Sequence, residues 1–105
     1  MERILCTAYG DCDANKGIAV ITENGLSYSL DYLKIPGKCN FCIEYEDVLY
    51  VPVKNGKNLI MEFRKQGDSF VLDGTYEVGY FYSHGTVFHD RLFLASFFRR
   101  CRCDL

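Results

Sequence analysis

Two cysteines three positions apart, in Cys39-Asn40-Phe41-Cys42, have the spacing of a redox or zinc-binding pair, and Cys101 and Cys103 would complete a set of four thiols. A redox pair wants a helix N-terminus to lower its thiol pKa, and no helical pattern follows Cys42. The two are therefore read as small apolar residues at the start of a strand, with no metal and no other cofactor called for. Of the two histidines, His84 falls in a short apolar run and is the candidate general base, since imidazole titrates near neutral pH. The plainer reading is a strand histidine bonded to backbone. His89, beside Asp90 in a turn sequence, is read as solvated. Arg91, Arg64 and Lys38 are cations able to hold an anionic substituent, although single basic residues at strand ends are usually solvated. No phosphate-cradling glycine loop, Ser-His-Asp arrangement or His-rich metal spacing occurs.

The elements that must position these groups are strands. In 105 residues, 49% are hydrophobic and 15% aromatic, which excludes a disordered tail. A net charge of -2 gives no reason to expect nucleic acid or an anionic membrane surface as partner. No apolar run approaches the ~20 residues of a membrane-spanning helix. Met1 to Cys6 lacks the pattern of an export signal, so the expected location is cytoplasmic and the six cysteines are expected as thiols. Apolar residues never keep a three- and four-residue spacing over three turns. Strands are predicted near Ile4–Tyr9, Gly17–Thr22, Leu26–Leu33, Phe41–Tyr45, Val48–Val53, Leu59–Arg64, Phe70–Glu77, Tyr82–Phe88 and Leu92–Phe97. Turns are expected at Asn24-Gly25, Pro36-Gly37, Glu46-Asp47, Asn55-Gly56, Gly67-Asp68 and His89-Asp90.

Laid over itself, the chain repeats. Arg3–Ala8, Asp47–Pro52 and Asp90–Ala95 align on Leu5, Leu49 and Leu92, which stand 44 and 43 residues apart. Asn24-Gly25-Leu26-Ser27-Tyr28 matches Gln66-Gly67-Asp68-Ser69-Phe70. A period of roughly 40–50 residues with four strands per unit is the mark of a β-propeller. A single four-stranded blade cannot cover both its apolar faces, so blades stack around an axis. The expected fold is all-β, with antiparallel four-stranded blades, about two of them, in a truncated propeller. A small barrel or sandwich built from the same strands is the rival. The first unit has no inner strand before its anchor strand, and the third is expected to stop after its own.

Pro36-Gly37-Lys38-Cys39-Asn40-Phe41, followed by Glu46-Asp47-Val48-Leu49-Tyr50-Val51, resembles the blade opening of the lactonase-type seven-bladed propellers, the 6-phosphogluconolactonase family. Tyr82-Ser83-His84-Gly85, then His89-Asp90-Arg91-Leu92-Phe93-Leu94, repeats it. The family's usual Pro-Asp-Gly hairpin is replaced by Glu46-Asp47 and His89-Asp90. The resemblance implies a hydrolase of carbohydrate metabolism acting on a small-molecule sugar lactone. It implies that His84 faces the central cleft as catalytic base or orienter, with Asn40 and Arg91 binding substrate. It also implies that further C-terminal blades of the same chain are the missing partner, the fragment alone being inactive. The alternatives are a non-catalytic propeller binding module and a small β-protein with a cysteine metal site.

Residues 1–98 are assigned to the blades and 99–105 to an anomalous tail. Half of the six arginines fall after Phe98. One set of codons for Phe98–Leu105, with a single C removed, reads Phe-Glu-Gly-Ala-Asp-Ala-Ile, the turn and strand that the family supplies. A shifted reading frame is the expected cause, and the underlying DNA tests it.

Overall fold

The structure, a computed structural model, describes the backbone of residues 2–7, 17–39, 41–67, 69–82, 84–95 and 100–104. Side chains are described for residues 17–23, 25–39, 41–67, 69–82 and 85–94. Within these bounds the chain is all-β and antiparallel. Its strands are β1 (Glu2–Thr7), β2 (Ile18–Asn24), β3 (Ser27–Leu33), β4 (Ile43–Tyr45), β5 (Val48–Asn55), β6 (Lys57–Gln66), β7 (Ser69–Val78), β8 (His84–Phe88), β9 (Arg91–Ala95) and β10 (Arg100–Asp104). They form three meanders in chain order: a first sheet β1-β2-β3, a middle sheet β4-β5-β6-β7 and a third sheet β8-β9-β10. Three separate sheets replace the single closed sheet that the barrel alternative requires. Among the described residues, no helix is long and apolar enough to cross a membrane.

The middle sheet is apolar on both faces, and that property organises the molecule. In β5, Val48, Leu49, Val51, Pro52 and Val53 are all buried, with none of the period-two exposure of a half-solvated strand. Leu49, Val51 and Val53 point to one face and pack with Met61 and Phe63 of β6 against Ile18 and Val20 of the first sheet. Ile60 of β6 and Tyr50 of β5 lie on the opposite face, where they meet Leu92 and Leu94 of the third sheet. Complete burial of a residue such as Leu49 or Val51 is worth about 1.5–3 kcal/mol. Two cores thus clamp one sheet.

The linker between the first two sheets contributes to the first core through Ile35 and Cys39. Gly37 makes this possible. Its φ is +150°, and a Cβ there would meet the Lys54 carbonyl oxygen at 2.6 Å. That close approach lets Lys38 and Lys54 exchange two backbone hydrogen bonds of 3.0 and 2.9 Å. Since Lys54 donates to the Lys38 side, the two-residue alternation turns the nitrogen of Pro52 the same way. Pro52 falls between the β4 pairing, which ends at Tyr50, and the Lys38–Lys54 bridge, so its lack of an N–H leaves no ladder bond unmade.

Each of the nine predicted strands is present, with shifted ends. Tyr9, Asp68 and Phe97 lie outside the described residues. The third unit goes further than expected: β10 pairs with β9, Cys103 opposite Leu92 and Cys101 opposite Leu94. In β1 the register places Ile4 opposite Ile21 and Leu5 opposite Val20. Since Phe63 is the repeat counterpart of Ile21 and pairs with Leu49, Ile4 rather than Leu5 stands in the position of Leu49. A one-residue slip of this kind exchanges the two faces of a strand.

Candidate functional site

The two β4-β5 and β8-β9 hairpins bring the polar groups together. Their turns are Glu46-Asp47 and His89-Asp90, separated by the same 43 residues as Leu49 and Leu92. All four turn residues have left-handed φ, at 48°, 66°, 50° and 58°. Positive φ at both central positions is the geometry that matches strand twist in a two-residue hairpin. The short strands β4 and β8 are edge strands of adjoining sheets and touch each other. Gly85 allows the approach: a Cβ there would lie 2.7 Å from Cδ1 of Ile43.

Between β4 and β8 lies an open cleft of about 590 Å³, lined by Cys42, Ile43, Glu44, Tyr45, Gly85, Thr86, Val87, His89 and Asp90. A smaller one of about 370 Å³ adjoins it and is lined by Tyr45, Glu46, Val48, Tyr50, Arg64 and Asp90. Tyr45 and Asp90 are shared. The Tyr45 hydroxyl donates to Asp90 Oδ1 and so links the middle sheet to the turn of the third. This bond, with desolvation and the Asp90 charge behind it, pushes the phenol up from 10.0 to about 12. Tyr45 therefore stays protonated and serves as a donor, not a base.

Further along the same face, Tyr50 is raised chiefly by burial and then by the Glu62 charge, with Arg64 opposing. Tyr76 donates to Glu62 Oε2 at 3.0 Å and is raised by that bond. Arg64 reaches Asp73 Oδ2 through Nε at 3.3 Å and Nη2 at 3.2 Å. Asp73 is the extra residue of a β-bulge, between the pairs Phe63–Leu72 and Glu62–Gly74. His89 is exposed and stands edge-on to Phe88, with ring centroids 4.1 Å apart.

The expected site residues fall differently. Asn40 lies outside the described residues, as does the His84 side chain. By backbone register His84 pairs with Ala95 and Phe88 with Arg91, so His84 and Arg91 mark opposite ends of one hairpin. Four residues of strand separate them, roughly 13 Å. Arg91 is exposed directly after the His89-Asp90 turn. Cys39 is buried in the first core, where desolvation pushes its thiol up, the opposite of redox activation. Among the described residues, no group of three or more His, Cys, Asp and Glu is placed to hold a metal ion. Sequence reasoning missed the Tyr45–Asp90 pair, although the repeat carried a signal: Tyr45 aligns with Phe88, so of these two matched positions one carries a hydroxyl.

No protein-family model, no curated protein and no solved structure matches this chain. The chemistry of the clefts must speak for itself. They combine carboxylates (Glu44, Asp90), hydroxyl donors (Tyr45, Thr86), an imidazole (His89) and aromatic surface, a set suited to hydroxyl groups and to the face of a ring.

Proposed function

We propose that the three sheets are consecutive blades of a β-propeller, and that the cleft between β4 and β8 binds a polyhydroxylated ring of the sugar-lactone class, such as 6-phosphogluconolactone. The observation that carries this reading is the lining of the cleft, where Tyr45, Thr86, His89, Glu44 and Asp90 converge from two inner strands and their turns. Meanders packed in chain order, with a middle sheet apolar on both faces, support the blade arrangement.

In the hydrolytic form of the proposal, water attacks the lactone carbonyl while His84 removes its proton. The ring C–O bond then breaks, and the departing alkoxide takes that proton back. Asn40 orients the ring, and Arg91 or Arg64 holds an anionic substituent. A binding module without catalysis is the second reading, and one observation favours it. Asp90 is engaged by Tyr45, and Tyr45 is held protonated, an arrangement for gripping a ligand rather than for moving protons.

The test follows 6-phosphogluconolactone opening against its spontaneous rate, together with NMR titration of the ring-opened acid. Hydrolysis above background that disappears in His84→Ala supports the enzyme. Binding without hydrolysis, weakened in Tyr45→Phe, supports the module. Neither hydrolysis nor binding defeats both.

A further inference from the structure

The smaller cleft adjoins the proposed ring site but has a lining of its own character. Val48 is buried at its base, and Tyr45 and Tyr50 are half-buried beside it. Tyr45 pairs with Val48 and Ile43 with Tyr50, and residues two apart on a strand share a face, so the three lie on one face of the middle sheet. Glu46 and Asp90, both exposed, edge the cleft from the two hairpin turns. Asp90 accepts the Tyr45 hydroxyl and so fixes that ring. Two aromatic rings over an apolar base, edged by carboxylates, make a surface for an organic cation. The ring faces attract the charge and the carboxylates balance it.

Arg64 is the one cation among the described lining residues, and it is already engaged. Its Nε and Nη2 both donate to Asp73 Oδ2, at 3.3 and 3.2 Å. Glu62 adds a negative charge that is felt at Tyr50. The neighbourhood thus sets four carboxylates, Glu46, Glu62, Asp73 and Asp90, against one guanidinium. Both phenols register that sign. Tyr45 is raised by its bond to Asp90, then by burial and by the charges of Asp90 and Glu46. Tyr50 is raised by burial and then by Glu62, ahead of the opposing Arg64. An anion at Arg64 would face the same carboxylates, which leaves Arg91 for that role.

The repeat shows that the fold does not impose this lining. At an offset of 43 residues, Tyr45, Glu46, Val48 and Tyr50 correspond to Phe88, His89, Arg91 and Phe93. The third sheet keeps both rings but has an imidazole in place of the acid and a guanidinium in place of the apolar base. The rings belong to the repeat. The acidic edge and the apolar base distinguish the middle sheet from the third.

We infer that the smaller cleft binds an alkylammonium group, seated against Tyr45 and Tyr50 and balanced by Glu46 and Asp90. Free amines and lysine side chains share that group. The inference stands on this lining alone and does not require a lactone ring in the neighbouring cleft.

NMR titration of the whole chain with n-butylammonium chloride tests it, with n-butanol as the neutral counterpart and sodium chloride as the control for ionic strength. The expected result is a saturable shift of the Tyr45 and Tyr50 ring signals, assigned through Tyr45→Phe and Tyr50→Phe, with a dissociation constant that is roughly millimolar. n-Butanol and sodium chloride are expected to give no such shift. Glu46→Gln changes an exposed turn residue without altering its shape, and is expected to weaken binding about fivefold with the amide spectrum otherwise unchanged. Arg64→Gln removes the one lining cation and is expected to strengthen binding, the reverse of what general damage to the cleft would do. No saturation by butylammonium, or the same response to n-butanol, overturns the inference. So does an affinity unchanged in Glu46→Gln. N-acetyl-lysine methylamide identifies the source: binding tighter than that of butylammonium assigns a lysine side chain, and equal binding assigns a free amine. Either result supports the site, whether or not the lactone binds.

Discussion

Tyr45 and Asp90 are 45 residues apart, and nothing local in either hairpin points to the other. Their link produces a titration that can be read directly. Phenolate absorbance at high pH is expected to show one tyrosine titrating near 12, and Asp90→Asn to move that midpoint back toward 10.0. The sign for stability follows from the raised value. Folding favours the protonated phenol, so the contribution is complete below pH 10.0 and is lost as pH rises toward about 12. Tyr45→Phe is expected to lessen the fall of stability across that window, leaving the part that the raised Tyr50 and Tyr76 contribute, as measured by urea unfolding at a series of pH values. Cys39 is the contrasting residue. Desolvation raises its thiol, and its core position shields it from solvent. Alkylation of Cys39 by iodoacetamide is expected only at the rate of global unfolding; rapid modification in native buffer would place it outside the core. Its position was legible in the sequence because it sits among strand-forming apolar residues, whereas the tyrosine pair required the packing of two sheets.

The hairpins carry strain at equivalent places. Glu46, Asp47, His89 and Asp90 all have positive φ. Outside glycine, a left-handed residue costs roughly 1–2 kcal/mol, and asparagine or aspartate less. Asp47→Gly is therefore expected to stabilise the protein by about 1 kcal/mol in urea melts. Asp90→Gly relieves the same strain but also removes the acceptor for Tyr45, so its gain is expected to be smaller. Equal gains would show that the Tyr45 bond contributes nothing. The positions of these turns were legible because each parts two apolar runs. The β1 register was not, because Ile4 and Leu5 are adjacent apolar residues and either alternation looks acceptable. The pairing chose Ile4 for the position of Leu49. For β10, Arg100-Cys101-Arg102-Cys103-Asp104 has an alternation of period two, but its polar half hid it. The strand is marked by its pairing with β9 rather than by its composition.

At the level of the whole molecule, the repeat explains why burial is so uneven. Some repeat-equivalent positions lie in the core in one sheet and in solvent in another. Phe70 packs against the first core, while its counterpart Tyr28 is exposed. Protection from solvent should follow the same order. Amides of β5 and β6 lie between two cores, so their exchange requires both to open. Those of β3 lie on a strand with an almost entirely exposed pattern. Hydrogen exchange monitored by NMR is therefore expected to be slowest in Leu49–Val53 and Ile60–Phe63, and fast in Tyr28–Asp31. Leu94→Ala weakens the second core only, by about 2–5 kcal/mol for loss of a buried leucine. If the sheets act as one cooperative body, that substitution accelerates exchange in β2 as much as in β9. If each interface opens separately, β9 accelerates and β2 does not. The continuous apolar strip through β5 argues for the first outcome, because the residues of both cores belong to the same strand and lose their support together.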